Sequence, residues 1–124
     1  MSRTLTMMMV LLFAGMLVTT GCEKDPELPK VTTAGVTEVK QTSAIAGGNV
    51  TSDGNSPVTA RGICWGLTPE PTLDGLHTVD GAGEGEFVSE ITGLAPNVTY
   101  YVRAYATNSV GTTYGNERQF TTPL

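Results

Sequence analysis

The stretch that decides the fold is Leu94-Ala95-Pro96-Asn97-Val98-Thr99-Tyr100-Tyr101-Val102, which continues as Arg103-Ala104-Tyr105-Ala106-Thr107-Asn108. From Thr99 onward the side chains alternate in character with a period of two, the period of a β-strand. We therefore predict a strand over Thr99–Asn108 with one face turned into a core. The inward face would carry Tyr100, Val102, Ala104 and Ala106, and the outward face Tyr101, Arg103, Tyr105 and Thr107.

The chain on both sides of this stretch shows further short alternating runs, separated by turn residues. It contains 15 Gly and 7 Pro, and no stretch has the period of an amphipathic helix. Short strands at this spacing are typical of a β-sandwich. We therefore predict an all-β, seven-stranded antiparallel β-sandwich. The predicted strands are Lys30–Val39, Ser43–Thr51, Val58–Gly66, Leu76–Val79, Glu86–Thr92, Thr99–Asn108 and Thr113–Thr122.

The segment Leu94–Val102 resembles the Leu-x-Pro-x-x-x-Tyr-x-Val corner of fibronectin type III domains. The resemblance implies that Tyr100 packs at the entrance of the sixth strand and that its hydroxyl bonds to nearby backbone, forming a tyrosine corner. It also implies a fibronectin type III, immunoglobulin-like domain over residues 30–124. Three further segments are similar to a Bacteroidota subgroup of these domains: Ala60–Gly66, Ala104–Gly111 and Tyr114–Glu117.

The position of the single Trp departs from this family. Type III domains usually carry their core Trp on the second strand, where this chain has Gly48, whereas its own Trp is Trp65 on the third strand. Our hypothesis is an exchange of volume, in which Gly48, Ala104 and Ala106 leave room for the Trp65 indole. An indole contributes a large part of the buried area of so small a core.

Residues 1–21 are predicted to be a lipoprotein signal peptide. Arg3 supplies a positive charge, and Met7–Val18 is an uncharged apolar run that is too short for a stable transmembrane helix of about 20 residues. Small residues and then Cys22 follow, which resembles the lipobox of bacterial lipoprotein precursors. The resemblance implies that Cys22 becomes the first mature residue and carries acyl chains, palmitate among them, that anchor the protein in a membrane. The alternative is an ordinary secretory signal.

Residues 22–29 are predicted to be the lipidated Cys and its tether. The sequence Glu23-Lys24-Asp25-Pro26-Glu27 resembles the acidic export signal that sends Bacteroidota lipoproteins to the cell surface. We therefore expect an outer membrane lipoprotein that faces the cell exterior, with the membrane as a partner through its lipid. A plain solvated linker on a lipoprotein of the inner leaflet is the alternative.

Catalysis and cofactor binding have little support in the sequence. The formal charge of −5 excludes the basic field of a nucleic-acid-binding protein. Cys64 has no disulfide partner once Cys22 is acylated, and a nucleophilic Cys would need the only His, His77, beside it. We expect no catalysis, no cofactor and no bound metal, so the chain is not predicted to be an enzyme.

A Gly-rich loop and a group of carboxylates are weak candidates for ligand sites. Gly81-Ala82-Gly83-Glu84-Gly85 resembles a phosphate loop only superficially, because a strand rather than a helix follows it. The nearby carboxylates lack the ordered spacing of a calcium loop. These carboxylates are Asp74, Asp80, Glu84 and Glu86.

The predicted outward row of Tyr101, Arg103 and Tyr105 is the candidate binding surface, since exposed Tyr and Arg are enriched at interfaces and stack on sugars. Ordinary strand propensity of Tyr is the alternative explanation. The predicted function is an anchored, non-catalytic module that binds a protein or polysaccharide or serves as a spacer. A carbohydrate-binding accessory lipoprotein of a glycan-uptake system, or a remnant of a larger multidomain lipoprotein, are the alternatives.

Overall fold

The computed structural model describes residues 25–124, so the predicted signal peptide and Cys22 lie outside the described residues. The prediction of an all-β antiparallel sandwich is confirmed. No helix in the described part of the chain is long and apolar enough to cross a membrane. The strands are β1 (Lys30–Thr33), β2 (Ala44–Ser52), β3 (Ala60–Gly66), β4 (Leu76–His77), β5 (Gly85–Ile91), β6 (Thr99–Thr107), β7 (Thr112–Tyr114) and β8 (Arg118–Thr121).

The strands form two sheets that pack face to face. One sheet has the order β1-β2-β5, and the other has the order β4-β3-β6-β7, with β8 also paired to β6. The fourth strand therefore pairs with the third strand. In a constant-type immunoglobulin domain the fourth strand lies instead in the sheet of the first, second and fifth.

The first and last strands are shorter than predicted, and residues at the break in the last strand bond to the end of β1. The predicted strand Thr113–Thr122 is broken between β7 and β8, and there Asn116 Oδ1 accepts a hydrogen bond from Thr33 N at 2.9 Å. The last carbonyl of β1, Thr33 O, accepts a bond from Arg118 Nε at 3.1 Å. The Asn116 and Arg118 side chains thus cover the outer edge of β1 at Thr33.

The core lies between the two sheets, where β5 and β6 contribute the faces expected from their alternation. Phe87, Ser89 and Ile91 of β5 are buried, and the predicted inward face of β6 is at most 8% exposed. Burial of apolar area of this kind contributes about 25 cal/mol per Å². The buried residues of the core cluster from the other elements include Val31, Ala44, Val50, Ile63, Trp65 and Phe120.

Candidate functional site

Tyr100 closes the connection between β5 and β6. Its hydroxyl accepts a hydrogen bond from Ala95 N at 2.8 Å, and its ring stacks on Phe120 with centroids 5.6 Å apart. The Thr122 hydroxyl donates to Ala95 O at 2.6 Å, which ties the end of the chain to the same connection. This geometry is a tyrosine corner, and its hydrogen bonds fix the approach of the chain to β6.

Gly48 lies on β2 and Trp65 on β3, and the atoms nearest to Gly48 come from other residues of the core. A Cβ atom at Gly48 would lie 2.7 Å from Ala104 Cβ, 2.7 Å from Thr32 O and 2.9 Å from Phe87 Cζ. None of these three nearest atoms belongs to Trp65. Gly48 is therefore required for close packing against Phe87, Ala104 and β1, and the Trp65 indole, 9% exposed, is buried in the core cluster between the sheets.

The predicted outward row on β6 does not form an exposed platform, because Tyr105 is only 1% exposed. The expectation of an exposed Tyr105 was wrong for a physical reason. Tyr105 lies opposite Gly62 of β3, where the missing side chain leaves room for its ring, and its hydroxyl donates to Thr78 O at 2.6 Å. The segment after β4 therefore covers this part of the outer face.

Arg103 is half-buried, and its side chain holds a loop against the sheet. Its guanidinium donates two hydrogen bonds to Pro71 O, at 3.0 Å and 2.8 Å, and lies 4.2 Å from the centroid of the Tyr114 ring. The Tyr114 hydroxyl in turn accepts a bond from Leu73 N at 3.1 Å. Arg103 and Tyr114 thus fix the Pro-rich loop after β3 on the sheet, and only the half-buried Tyr101 of the predicted row has no such role.

Cys64 and His77 are brought opposite each other on β3 and β4, yet they do not form a reactive pair. The Cys64 side chain is fully buried, and this burial raises the pKa of the thiol from 9.0 to about 11, against a smaller lowering by Arg103. The His77 ring is exposed, with Nδ1 2.9 Å from Gly75 O. A thiol with so high a pKa supplies little of the thiolate that a nucleophile requires.

The Gly-rich loop before β5 is arranged around the guanidinium group of Arg61. Arg61 Nη1 donates to Gly83 O at 3.2 Å and to Glu84 O at 3.0 Å, and its Nε donates to Asp80 O at 3.3 Å. A phosphate loop presents backbone N–H groups to an anion, whereas this loop presents carbonyl oxygens to a guanidinium. Within residues 25–124 no group of three His, Cys, Asp or Glu side chains is placed to hold a metal ion.

Asn108 joins the N-terminal segment to the sandwich, a role that the sequence analysis missed. Its Nδ2 donates to Glu27 O at 2.6 Å and to Asp53 O at 2.9 Å, and its Oδ1 accepts from Val110 N at 2.9 Å. Glu27 N also donates to Gly54 O at 2.7 Å. The available signal was an Asn at the start of a Ser-Val-Gly turn, since Asn side chains commonly bond backbone two residues ahead.

A second surface missed by the sequence analysis lies on the outer face of the β1-β2-β5 sheet. It is an open depression of about 410 Å³ beside Gly47, with Thr32, Ile45 and Val88 among its lining residues. A Cβ atom at Gly47 would collide with Phe87 O, so this position has no side chain to fill the depression. Val88 is 72% exposed beside it.

The chain is similar to several solved structures of β-sandwich domains. No protein-family model matches the chain, and no curated protein matches it. The fibronectin type III domain of human collagen XX (residues P368–P466) is 18% identical, with a TM-score of 0.55, and the match covers 83% of this chain and 100% of that one. The described residues form a fibronectin type III-like domain. The sixth type III domain of human fibronectin type III domain containing protein 3 is 27% identical, with a TM-score of 0.52 and coverage of 83% and 91%.

A bacterial sensor domain has the same fold as this type III-like domain. The sensor domain of the anti-sigma factor RsgI4 in Pseudobacteroides cellulosolvens, in the shorter of its solved forms, is 17% identical, with a TM-score of 0.57. The match covers 77% of this chain and 94% of that one. Similarity at this level of identity establishes the architecture of the type III-like domain, and fold alone does not assign a ligand.

Proposed function

We propose that the protein is a membrane-anchored, surface-exposed lipoprotein whose type III-like domain acts as a non-catalytic interaction or spacer module. The anchor rests on the resemblance of residues 1–22 to a lipoprotein precursor, and the type III-like fold suits a non-catalytic module. The observation that relates the two is the position of Glu27, which is bonded to Gly54 and Asn108 of the sandwich. Only Glu23–Pro26 separates this fixed point from Cys22. An acylated Cys22 would therefore hold the domain within about 18 Å of the lipid, from an extended reach of about 3.6 Å per residue.

The attachment point also defines the orientation of the domain in this proposal. Glu27 docks at the end of the sandwich that carries the turn after β2 and the turn between β6 and β7. That end would face the membrane. The opposite end, with the connections β1–β2 and β5–β6, would point outward, and the two sheet faces would stand roughly upright between them.

A non-catalytic role is supported by the burial or hydrogen bonding of the side chains that could take part in catalysis. Cys64 is buried with a raised pKa, and the Arg61 and Arg103 guanidinium groups are occupied by backbone carbonyl oxygens. The accessory role in carbohydrate binding loses its support, since it relied on an aromatic platform that included Tyr105, which is buried.

The anchor can be tested by metabolic labelling of cells with radioactive palmitate, followed by membrane fractionation and protease treatment of intact cells. We expect the wild-type protein to be labelled, to sediment with outer membranes and to be cleaved from outside. Cys22→Ala should lose the label and the sedimentation. Equal membrane association of wild type and Cys22→Ala would contradict the proposal.

The interaction role requires a second experiment. Chemical cross-linking of live cells that carry the tagged protein, with Cys22→Ala as the matched control, should recover a partner that depends on the anchor. Recovery of the same material from wild type and control would contradict an anchored interaction role, and recovery of nothing above background would favour a spacer.

A further inference from the structure

β5 is an edge strand with an open row of backbone groups. It pairs with β2 on one side only, and among the described residues it is the longest edge strand of the two sheets. The edges formed by β1, β4, β7 and β8 are shorter, and the Asn116 and Arg118 side chains cover the β1 edge at Thr33. An unpaired strand edge is a template on which another chain adds a strand.

The register identifies which groups face the open side. Gly47 O accepts a bond from Ala34 N, and Ile45 exchanges two bonds with Thr37, so the backbone groups of these β2 residues point toward β1. Their partners on β5, Val88 and Glu90, therefore receive no ladder bonds from β2.

Because backbone groups alternate in direction along a strand, Glu86 also belongs to this open row of backbone groups. The N–H and C=O groups of Glu86, Val88 and Glu90 all point away from β2. None of these groups has a hydrogen-bond partner among the described residues. The side chains of the same three residues are exposed on the outer face of the sheet.

We propose that this edge, the β5 edge, binds an extended basic segment of a partner protein by β-strand addition. The inference rests on the proposed interaction role and deepens it by naming the partner's chemistry. Opposite charges stabilise cross-strand pairs, so Lys or Arg fits opposite Glu86 and Glu90, and a β-branched residue fits opposite Val88. The partner segment has the pattern basic-x-β-branched-x-basic, with main-chain hydrogen bonds supplying much of the affinity.

Charge disfavours a second copy of this chain as the occupant. An antiparallel pairing of two β5 strands centred on Val88 would place Glu86 of each copy opposite Glu90 of the other. Like charges directly opposite each other are destabilising. The carboxylates that prevent self-association on this edge thus select a basic partner.

A palindromic peptide, Thr-Lys-Thr-Val-Thr-Lys-Thr, tests the β5 edge because it presents the same pattern in parallel and antiparallel orientation. Its binding to the full-length protein in nonionic detergent can be followed by the anisotropy of a label on the peptide. We expect saturable binding that weakens as salt is added, and at least about tenfold weaker binding of the matched peptide with Glu in place of Lys.

Variants separate strand addition from simple charge attraction. Val88→Pro removes an N–H that points to the open side, which an edge strand tolerates, and it should abolish binding. Val88→Thr keeps the amide and should retain binding. Glu86→Lys with Glu90→Lys should reverse the preference toward the Glu peptide.

Two results would overturn the β5 edge proposal. One is the absence of binding to the Lys peptide. The other is binding that survives Val88→Pro in a variant with a thermal midpoint close to that of the wild type. Neither result would affect the anchor, which the palmitate labelling of Cys22 tests separately.

Discussion

The sharpest stability prediction concerns Gly48, because a Cβ atom there would meet Ala104 Cβ and the backbone oxygen Thr32 O as well as the more mobile Phe87 ring. Gly48→Ala would place the new Cβ 2.7 Å from Thr32 O and 2.9 Å from Phe87 Cζ, about 1 Å less than an ordinary contact of about 3.5–4.0 Å. The ring of Phe87 can shift, but Thr32 O belongs to the backbone of β1, which pairs with β2. Relief of the contact therefore requires the β1–β2 pairing to open.

The expected magnitude follows from two opposing effects. Overpacking of a core costs about 1–3 kcal/mol, whereas replacing Gly by Ala contributes about 0.4–1 kcal/mol through the unfolded state. We expect Gly48→Ala to lower the free energy of unfolding by about 1–2 kcal/mol. Each kcal/mol corresponds to a decrease of about 4–8 °C in Tm for a domain of this size.

The matched control is Gly66→Ala, since a Cβ atom at Gly66 meets nothing within 4 Å. It should leave the free energy of unfolding unchanged or raise it by up to about 1 kcal/mol. Urea titration followed by the fluorescence of Trp65, the single and buried Trp, measures both variants. Equal stability of Gly48→Ala and wild type would refute the argument, because it would mean that β1 has room to move.

Three further predictions concern Tyr and Cys side chains. Tyr100→Phe, which loses the bond to Ala95 N, should lower the free energy of unfolding by about 0.5–1.5 kcal/mol, whereas Tyr101→Phe should change it by less than about 0.5 kcal/mol in the same urea titration. At pH 8 Cys64 should react with a thiol reagent at least about a hundredfold more slowly than in urea, and equally fast reaction would contradict its burial. Since the unfolded chain releases the Cys64 proton near pH 9.0 and the folded chain near pH 11, stability should fall as pH rises between these values. Tyr105, whose pKa burial raises to about 12, adds to this fall, which Cys64→Ala should reduce in thermal melts.

Local patterns were sufficient to predict the elements that build the core. The alternation over β6 identified Tyr100 and Val102 as inward residues, and the resemblance to the type III corner implied a tyrosine hydroxyl bonded to nearby backbone, which is Ala95 N in the structure. Both features depend on residues within one strand and the turn before it. Sequence periodicity reports such short-range relations directly.

The burial of the outward face of β6 depended on residues that are distant in the chain. The same alternation placed Tyr105 outward, and Tyr105 is indeed absent from the core cluster between the sheets. Its burial comes from Thr78, which follows β4 and covers the sheet there. The signal for this burial is Gly62, which lies directly opposite Tyr105 and leaves room for its ring. The signal can be read only once β3 and β6 are known to pair.

A contact between distant segments lies where the first strand ends and the last strand is broken. Thr33 is the last residue of β1, and Asn116, 83 positions later, lies in the break between β7 and β8. A buried backbone N–H needs a partner, and the Asn116 side chain supplies the partner of Thr33 N. No periodicity within either segment contains this requirement.

The β5 edge shows most clearly what topology adds to a sequence pattern. Alternation alone predicts that Glu86, Val88 and Glu90 are exposed, but it does not predict where their backbone groups point. That direction follows only because Ala34 and Thr37, just after β1, bond to the backbone of Gly47 and Ile45, which leaves Val88 and Glu90 without ladder bonds. In the sequence, β5 has the pattern of an ordinary acidic strand. In the sandwich it is an edge strand whose open backbone groups can pair with a further strand of opposite charge.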